Sequence, residues 1–257
     1  MSDALIGYTG FVGSNLLDKR SFDTLYNSKN IKEMSGKKFN DVICAGISAV
    51  KWQANKDPET DKKNIEKLKD VLKTITAERF ILISTVDVYP ILSNGDESFD
   101  CKSIENHPYG THRLEFEEFC KNHFKNCHII RLPGLFGYGL KKNVVYDLLN
   151  YNCLDMINPE SSFQYYYLEN LWEDIQKVLK QNLRLINFFT EPVLTKTIIK
   201  KYFPNTVVGE NASPTIHYDL HTKYANLRNL SGKYLYSQEE VMNQLDSFIK
   251  DYRNTNK

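Results

Sequence analysis

Gly7-Tyr8-Thr9-Gly10-Phe11-Val12-Gly13 is the stretch that decides the fold. Its glycines recur at i, i+3 and i+6. They follow a short apolar strand at residues 3–7 and open a helix at residues 12–19, where Val12, Leu16 and Leu17 share one face. Small residues in a strand-to-helix turn let the backbone approach a pyrophosphate, and the N–H groups and dipole of the helix stabilise its charge. The plain alternative is a tight turn that binds nothing. The motif's place, on the first strand of an alternating chain, favours the dinucleotide reading.

The alternation continues downstream. Thr24-Leu25-Tyr26 reads as a second strand, and Asp41-Val42-Ile43-Cys44-Ala45-Gly46 as a buried strand ending in small residues. Residues 60–77 form a helix with Ile65, Leu68, Val71, Leu72 and Ile75 on one side, followed by the strand Phe80–Thr85, a helix at 109–123 and a strand at 128–132. Continuous apolar strands separated by amphipathic helices predict an α/β fold: a Rossmann-type, doubly wound parallel sheet covered on both faces. Helices are expected at 142–151, 169–181, 194–202 and 238–252, with a strand at 185–189. The expected organisation is a dinucleotide-binding domain over residues 1–135, interleaved with a small substrate lobe over 136–257.

The 257 residues carry 33 Lys plus Arg against 32 Asp plus Glu, a net charge of +1 that argues against a dedicated nucleic-acid binder. With 41% hydrophobic residues the chain can bury a sizeable core. No apolar run reaches the ~18 residues that would span a bilayer, so no membrane partner is expected. The first residues lack the pattern of a signal peptide. Five scattered cysteines without a C-x-x-C pair point to reduced thiols, a cytoplasmic protein and no metal.

The end of the second strand bears on cofactor choice. A carboxylate there would accept from a ribose 2′-hydroxyl, but the chain has Asn27-Ser28-Lys29. Lys29 could pair a 2′-phosphate, so NADP is expected, with NAD possible. The spacing before Asp41 leaves room only for a vestigial third strand at Asn30-Ile31-Lys32. Farther on, Tyr109 and Arg113 stand four apart on one helix face. A guanidinium beside a phenol lowers its pKa and suits it to proton exchange. Thr85 closes a buried strand, at the carboxyl edge where ligands of open α/β sheets bind. Asp87, two residues on, shares its face and is a candidate proton shuttle.

Taken in order, these residues resemble the extended short-chain dehydrogenase/reductase superfamily of NAD(P)-dependent sugar-nucleotide epimerases, dehydratases and reductases. Gly7 to Gly13 match its glycine motif. Asn64 matches the Asn opening its next long helix. Ser84-Thr85-Val86-Asp87-Val88-Tyr89-Pro90 is similar to its hydroxyl motif, and His107-Pro108-Tyr109-Gly110-Thr111-His112-Arg113 to its Pro-Tyr-x-x-x-Lys, with Arg113 at the Lys position. Arg131-Leu132-Pro133-Gly134 resembles the segment passing under the nicotinamide, and Phe163–Leu171 the late strand before a helix. The resemblance implies catalysis by Thr85, Tyr109, Arg113 and Asp87. It implies cofactor contacts from Gly7, Thr9, Gly10, Phe11, Val12, Gly13, Asn27, Ser28, Lys29, Ala45, Gly46, Tyr109, Arg113 and Pro133. It further implies a nucleotide-sugar substrate and a homodimer. His112 reads as structural, Trp52 as core packing, and at most two of Tyr165 to Tyr167 can face a pocket. Arg113 keeps open a second reading: a cofactor-binding redox sensor or assembly partner with weak or lost catalysis.

Overall fold

The apolar strands meet in a single parallel sheet of six strands in a computed structural model that describes residues 1–228 and 231–255. They are β1 (Ser2–Ile6), β2 (Thr24–Tyr26), β3 (Lys38–Cys44), β4 (Thr76–Thr85), β5 (Cys127–Leu132) and Leu185–Asn187. The order is β2-β1-β3-β4-β5, with Leu185–Asn187 beyond β5. The helices between them are α1 (Phe11–Lys19), α2 (Lys51–Lys56), α3 (Pro58–Leu72) and α4 (Pro108–His123).

Alternation along the strands places the core. Ala4 and Ile6, Val42 and Cys44, Phe80 and Leu82, and Cys127 and Ile129 share one cluster with Ile65 and Leu72 of α3 and Phe116 and Cys120 of α4. The intervening Leu5, Ile43, Ile81 and Ile130 are also buried, as expected of strands covered on both faces. Phe80 stacks on Phe124 at 4.0 Å between ring centroids. All five cysteines are free, and only Cys153 is exposed.

Three local expectations need correction. Residues 30–32 are not a strand: Ile31–Met34 is a 3-10 turn that buries Met34, so β2 is the edge and β1 pairs directly with β3. Asn64 does not open a helix. It is exposed in the middle of α3, which starts at Pro58 and is capped by Asp57, whose side chain accepts from the Thr60 N–H at 3.1 Å. β4 starts at Thr76 rather than Phe80, because backbone pairing with Lys38–Asp41 and the bidentate Asp41–Arg79 contact carry its polar beginning.

The chain forms two compact units. The first comprises Met1–Pro90, Ser98–Leu132 and Glu169–Asn187; the second comprises Ile91–Glu97, Pro133–Leu168 and Phe188–Lys257. Within the second, Gly134–Phe136 pairs in parallel with Tyr165–Tyr167, and Phe136 stacks on Tyr167 at 4.8 Å. Tyr165 and Tyr166 are buried. The buried Gln164 amide donates to the carbonyls of Thr190 and Leu220 and accepts from the Leu220 N–H at 3.0 Å. No helix among the described residues is long and apolar enough to cross a membrane.

Candidate active site

The glycine turn is shaped by close backbone contact. Gly7 has φ +87°, and a Cβ there would lie 2.4 Å from the Ala45 carbonyl oxygen. A Cβ on Gly13 would lie 2.1 Å from the Gly7 oxygen. Gly10 is exposed; its N–H donates to the Gly7 carbonyl at 2.9 Å, and it caps α1 without a side chain. Thr9 is exposed and Phe11 and Val12 are half-buried; the first N–H groups of a helix such as α1 have no intrahelical acceptor and suit an anion.

At the end of β2, Asn27 is fixed by two contacts: its amide donates to the Tyr8 hydroxyl at 3.1 Å, and its Oδ1 accepts from the Lys29 N–H at 2.8 Å. Ser28 and Lys29 are exposed.

The turn after β3 connects the cradle to the second group of residues. Ala45 and Gly46 pack on Gly7, and two residues later the Ser48 carbonyl accepts from Arg113 Nη2 at 2.7 Å. Arg113 is buried on α4. Its Nη2 donates to Asp61 Oδ1 at 2.9 Å, Nη1 donates to Asp61 Oδ2, and its guanidinium lies 3.8 Å over the Tyr109 ring. The Arg113 Nε, also buried, has no partner among the described residues. His112 Nδ1 sits 2.7 Å from Asp61 Oδ2, so one carboxylate of α3 holds two adjacent basic residues of α4, His112 and Arg113.

Backbone contact also sets Tyr109 beside Asp87. His107 caps α4, its Nδ1 accepting from the Gly110 N–H at 3.0 Å, and Pro108 fills the first turn. A Cβ on Gly110 would stand 2.1 Å from the Asp87 carbonyl oxygen. Asn106 staples the same place: its Nδ2 donates to the carbonyls of Asp87 at 2.9 Å and Val88 at 3.2 Å. Thr85 Oγ1 donates to Asp87 Oδ2 and accepts from the Asp87 N–H, both at 3.2 Å. Lys51 Nζ donates to Asp87 Oδ1 at 2.5 Å, and His107 Nε2 lies 3.9 Å from the same oxygen.

Two expectations change here. Burial raises the Tyr109 pKa above the ordinary phenol value; Arg113 opposes this and Asp87 adds to it, so the guanidinium does not win. Trp52 is not core: its side chain is 69% exposed on α2. Burial, and then the Lys51 charge, hold the His107 imidazole below its usual pKa.

Behind the site, the buried Arg131 donates to Glu117 Oε2 at 2.7 Å and to the Tyr89 hydroxyl at 3.0 Å, and the Ser84 hydroxyl donates to Glu117. Asn187 Nδ2 donates to the same Tyr89 hydroxyl at 2.8 Å. This network fixes the end of β4 against α4 and β5. Arg131 inside an apolar strand was its only sequence signal. Pro133, buried just past β5, is the first residue of the segment Pro133–Leu168 in the second unit. No cluster of potential metal ligands occurs among the described residues.

A family model, the NAD dependent epimerase/dehydratase family, matches residues 22–153, just over half of the chain. No curated protein matches the sequence. Solved structures do match the fold. A UDP-glucose 4-epimerase from Thermotoga maritima, bound to UDP-glucose, superposes with a TM-score of 0.72 at 15% identity, covering 100% of both chains. A dTDP-4-dehydrorhamnose reductase from Clostridium acetobutylicum gives 0.72 at 15% identity, covering 98% of this chain and 100% of the other. A UDP-glucuronic acid 4-epimerase from Bacillus cereus, in complex with UDP-glucuronic acid and NAD, gives 0.72 at 18% identity over 98% and 100%. At such identities the likeness is one of fold.

Proposed function

The chain belongs to the NAD dependent epimerase/dehydratase family, and from that premise we propose that it is an NAD(P)-dependent oxidoreductase or epimerase of a nucleotide sugar with Tyr109 as general acid/base. The observation that carries this reading is the turn at Ala45–Ser48. It packs on the glycine cradle at Gly7 and also accepts from Arg113 at 2.7 Å, which ties the cradle to the Thr85–Asp87–Tyr109 group.

The residues present fit a dinucleotide. Gly7 and Gly13 let the main chain close up tightly on Ala45 and on Gly7 itself, Gly10 leaves the start of α1 bare of a side chain, and the buried Nε of Arg113 is a spare donor for a ribose hydroxyl. Lys29, with no carboxylate at Asn27 or Ser28, favours NADP over NAD. When bound, the nicotinamide supplies a hydride donor or acceptor. The first unit holds it, and the second, with Pro133, is the substrate lobe.

The chain's own groups handle the proton. Tyr109, with its raised pKa, is protonated near neutral pH and enters as the acid, giving its proton to an oxygen that becomes a hydroxyl. Thr85 Oγ1 already donates to Asp87 and accepts from its N–H, so its remaining lone pair accepts from a sugar hydroxyl and orients it. Asp87 is placed to move a second proton if the reaction extends to epimerisation or dehydration.

Replacing Tyr109 with Phe keeps the ring and removes the proton. Turnover followed at the nicotinamide absorbance across a nucleotide-sugar panel should fall by about 10²–10⁴ with cofactor affinity nearly constant. Wild-type turnover in that variant would rule the mechanism out. The second reading, weak catalysis in a sensor or assembly partner, is favoured by one observation: Asp61, Ser48 and the Tyr109 carbonyl take up the Arg113 fork, leaving only Nε. Retained cofactor that stays inert to the whole panel would support it.

A further inference from the structure

α2 has no cofactor role in the reading above, yet it faces the site. Lys51 and Asn55, four apart, share one helix face, and Trp52, three before Asn55, lies at its edge. That face is anchored on α4, because Asn55 Oδ1 accepts from the Tyr109 N–H at 3.0 Å. Lys51 reaches Asp87 at 2.5 Å, and Trp52, the next residue of the helix, is 69% exposed.

The charges around Asp87 balance. Lys51 is paired with Asp87, Arg113 with Asp61, and His107, held neutral by its surroundings, is 3.9 Å away. Both of these cations already have a carboxylate partner, so a ligand carboxylate would have to share Lys51 with Asp87 and face that like charge. A pair of ring hydroxyls uses the same groups without conflict. One accepts from a remaining Lys51 N–H, and the other donates to a free lone pair of Asp87. The C–H face of a pyranose packs on an exposed indole, which offers a large apolar surface at little cost in side-chain freedom.

We propose that Lys51, Trp52 and Asp87 form the sugar-reading wall of this protein and select an uncharged hexopyranose with vicinal hydroxyls over the corresponding uronate. The proposal rests on the nucleotide-sugar reading of the same site.

The test is calorimetric titration of the full chain, saturated with NADP, with UDP-glucose and UDP-glucuronic acid, alongside intrinsic fluorescence. Wild type should bind UDP-glucose at least about tenfold more tightly. Asp87→Asn, which frees Lys51 without changing shape, should close or reverse that gap. Lys51→Met should weaken UDP-glucose by about 10- to 100-fold without rescuing the uronate. Trp52→Ala should weaken both sugars and abolish the fluorescence change on binding, while Trp52→Phe retains affinity. A wild-type preference for the uronate, or a ratio unmoved by Asp87→Asn, overturns the assignment and leaves the nucleotide-sugar reading standing. If neither sugar binds while NADP does, that reading fails and the assignment falls with it.

Discussion

Arg113→Lys keeps a positive charge at the family's lysine position, but Arg113 is built into its surroundings as a fork. It donates to both oxygens of Asp61, to the Ser48 carbonyl at 2.7 Å and to the Tyr109 carbonyl at 3.3 Å, and it covers the Tyr109 ring at 3.8 Å. One ammonium cannot reproduce two parallel bonds to a carboxylate and also reach Ser48. The variant therefore loses about two charge-assisted hydrogen bonds, each about 1.5–3 kcal/mol, offset in part by new contacts of the lysine. The expected cost is about 2–4 kcal/mol, read as a lower midpoint in chemical unfolding of the cofactor-free protein. The same clamp has a pH signature. Burial pushes the Asp61 carboxyl up, but the hydrogen bonds from Arg113 and His112 outweigh it, and the net shift is downward. A folded-state pKa below the unfolded value of about 4 means that the contribution is complete above that pH and declines as the pH falls through the folded value. Asp61→Asn should therefore lower stability at neutral pH and flatten part of the acid limb. An Arg113→Lys protein as stable as wild type from about pH 4 to 7 would show that the fork does not hold the site together.

The two glycines of the cradle should separate binding from stability. Gly10→Val, at an exposed position, should abolish cofactor binding with little change in the unfolding midpoint, whereas Gly13→Ala, whose Cβ would meet the Gly7 oxygen at 2.1 Å, should lower both; calorimetry and denaturation on each variant check this. Lys29→Ala should weaken NADP by about 1–3 kcal/mol and leave NAD nearly untouched, and equal losses in a paired titration would remove Lys29 from cofactor choice. The Tyr109 phenol, raised by burial against the pull of Arg113, should ionise above its ordinary value of about 10 in an ultraviolet difference titration of wild type against Tyr109→Phe, and Arg113→Met should move it higher still.

The parts of the fold legible in the sequence are those that rest on local pattern. Gly7 to Gly13, the apolar strands and the amphipathic α3 and α4 each signal themselves within a window of a few turns. The rest depends on partners far apart in the chain. Nothing near Asp61 marks it as the carboxylate of Arg113, because the two meet only when α3 packs on α4. α2 has a single buried residue, Ala54, and so lacks the apolar period that would announce a helix; its place beside the site comes from Asn55 on the Tyr109 amide. Trp52 shows the same limit, since a lone tryptophan reads as core until the packing leaves it outside. The spacing of Tyr109 and Arg113 shows that the two touch, but not how deeply the phenol is buried, and depth decides the direction of its pKa. The turn at Ile31–Met34 is not legible as one in the sequence, because Ile31 among polar neighbours carries no period.

The Asn106 staple has a consequence for how such a protein can diversify. By bonding back to the carbonyls of Asp87 and Val88, Asn106 closes the excursion of residues 90–105 at its base. The close approach of Gly110 to the Asp87 carbonyl, with Asn55 on the Tyr109 N–H, then sets Tyr109 beside Asp87. Lengthening such a closed excursion costs only slowly growing loop entropy. Part of it, Ile91–Glu97, belongs to the second unit, where the Asn94 N–H donates to the Asp219 carbonyl at 2.9 Å and the Thr222 hydroxyl donates to Glu97 at 2.6 Å. Changes of length in the exposed parts of that excursion leave the Thr85–Asp87 hydrogen bonds and the approach of Gly110 to the Asp87 carbonyl in place.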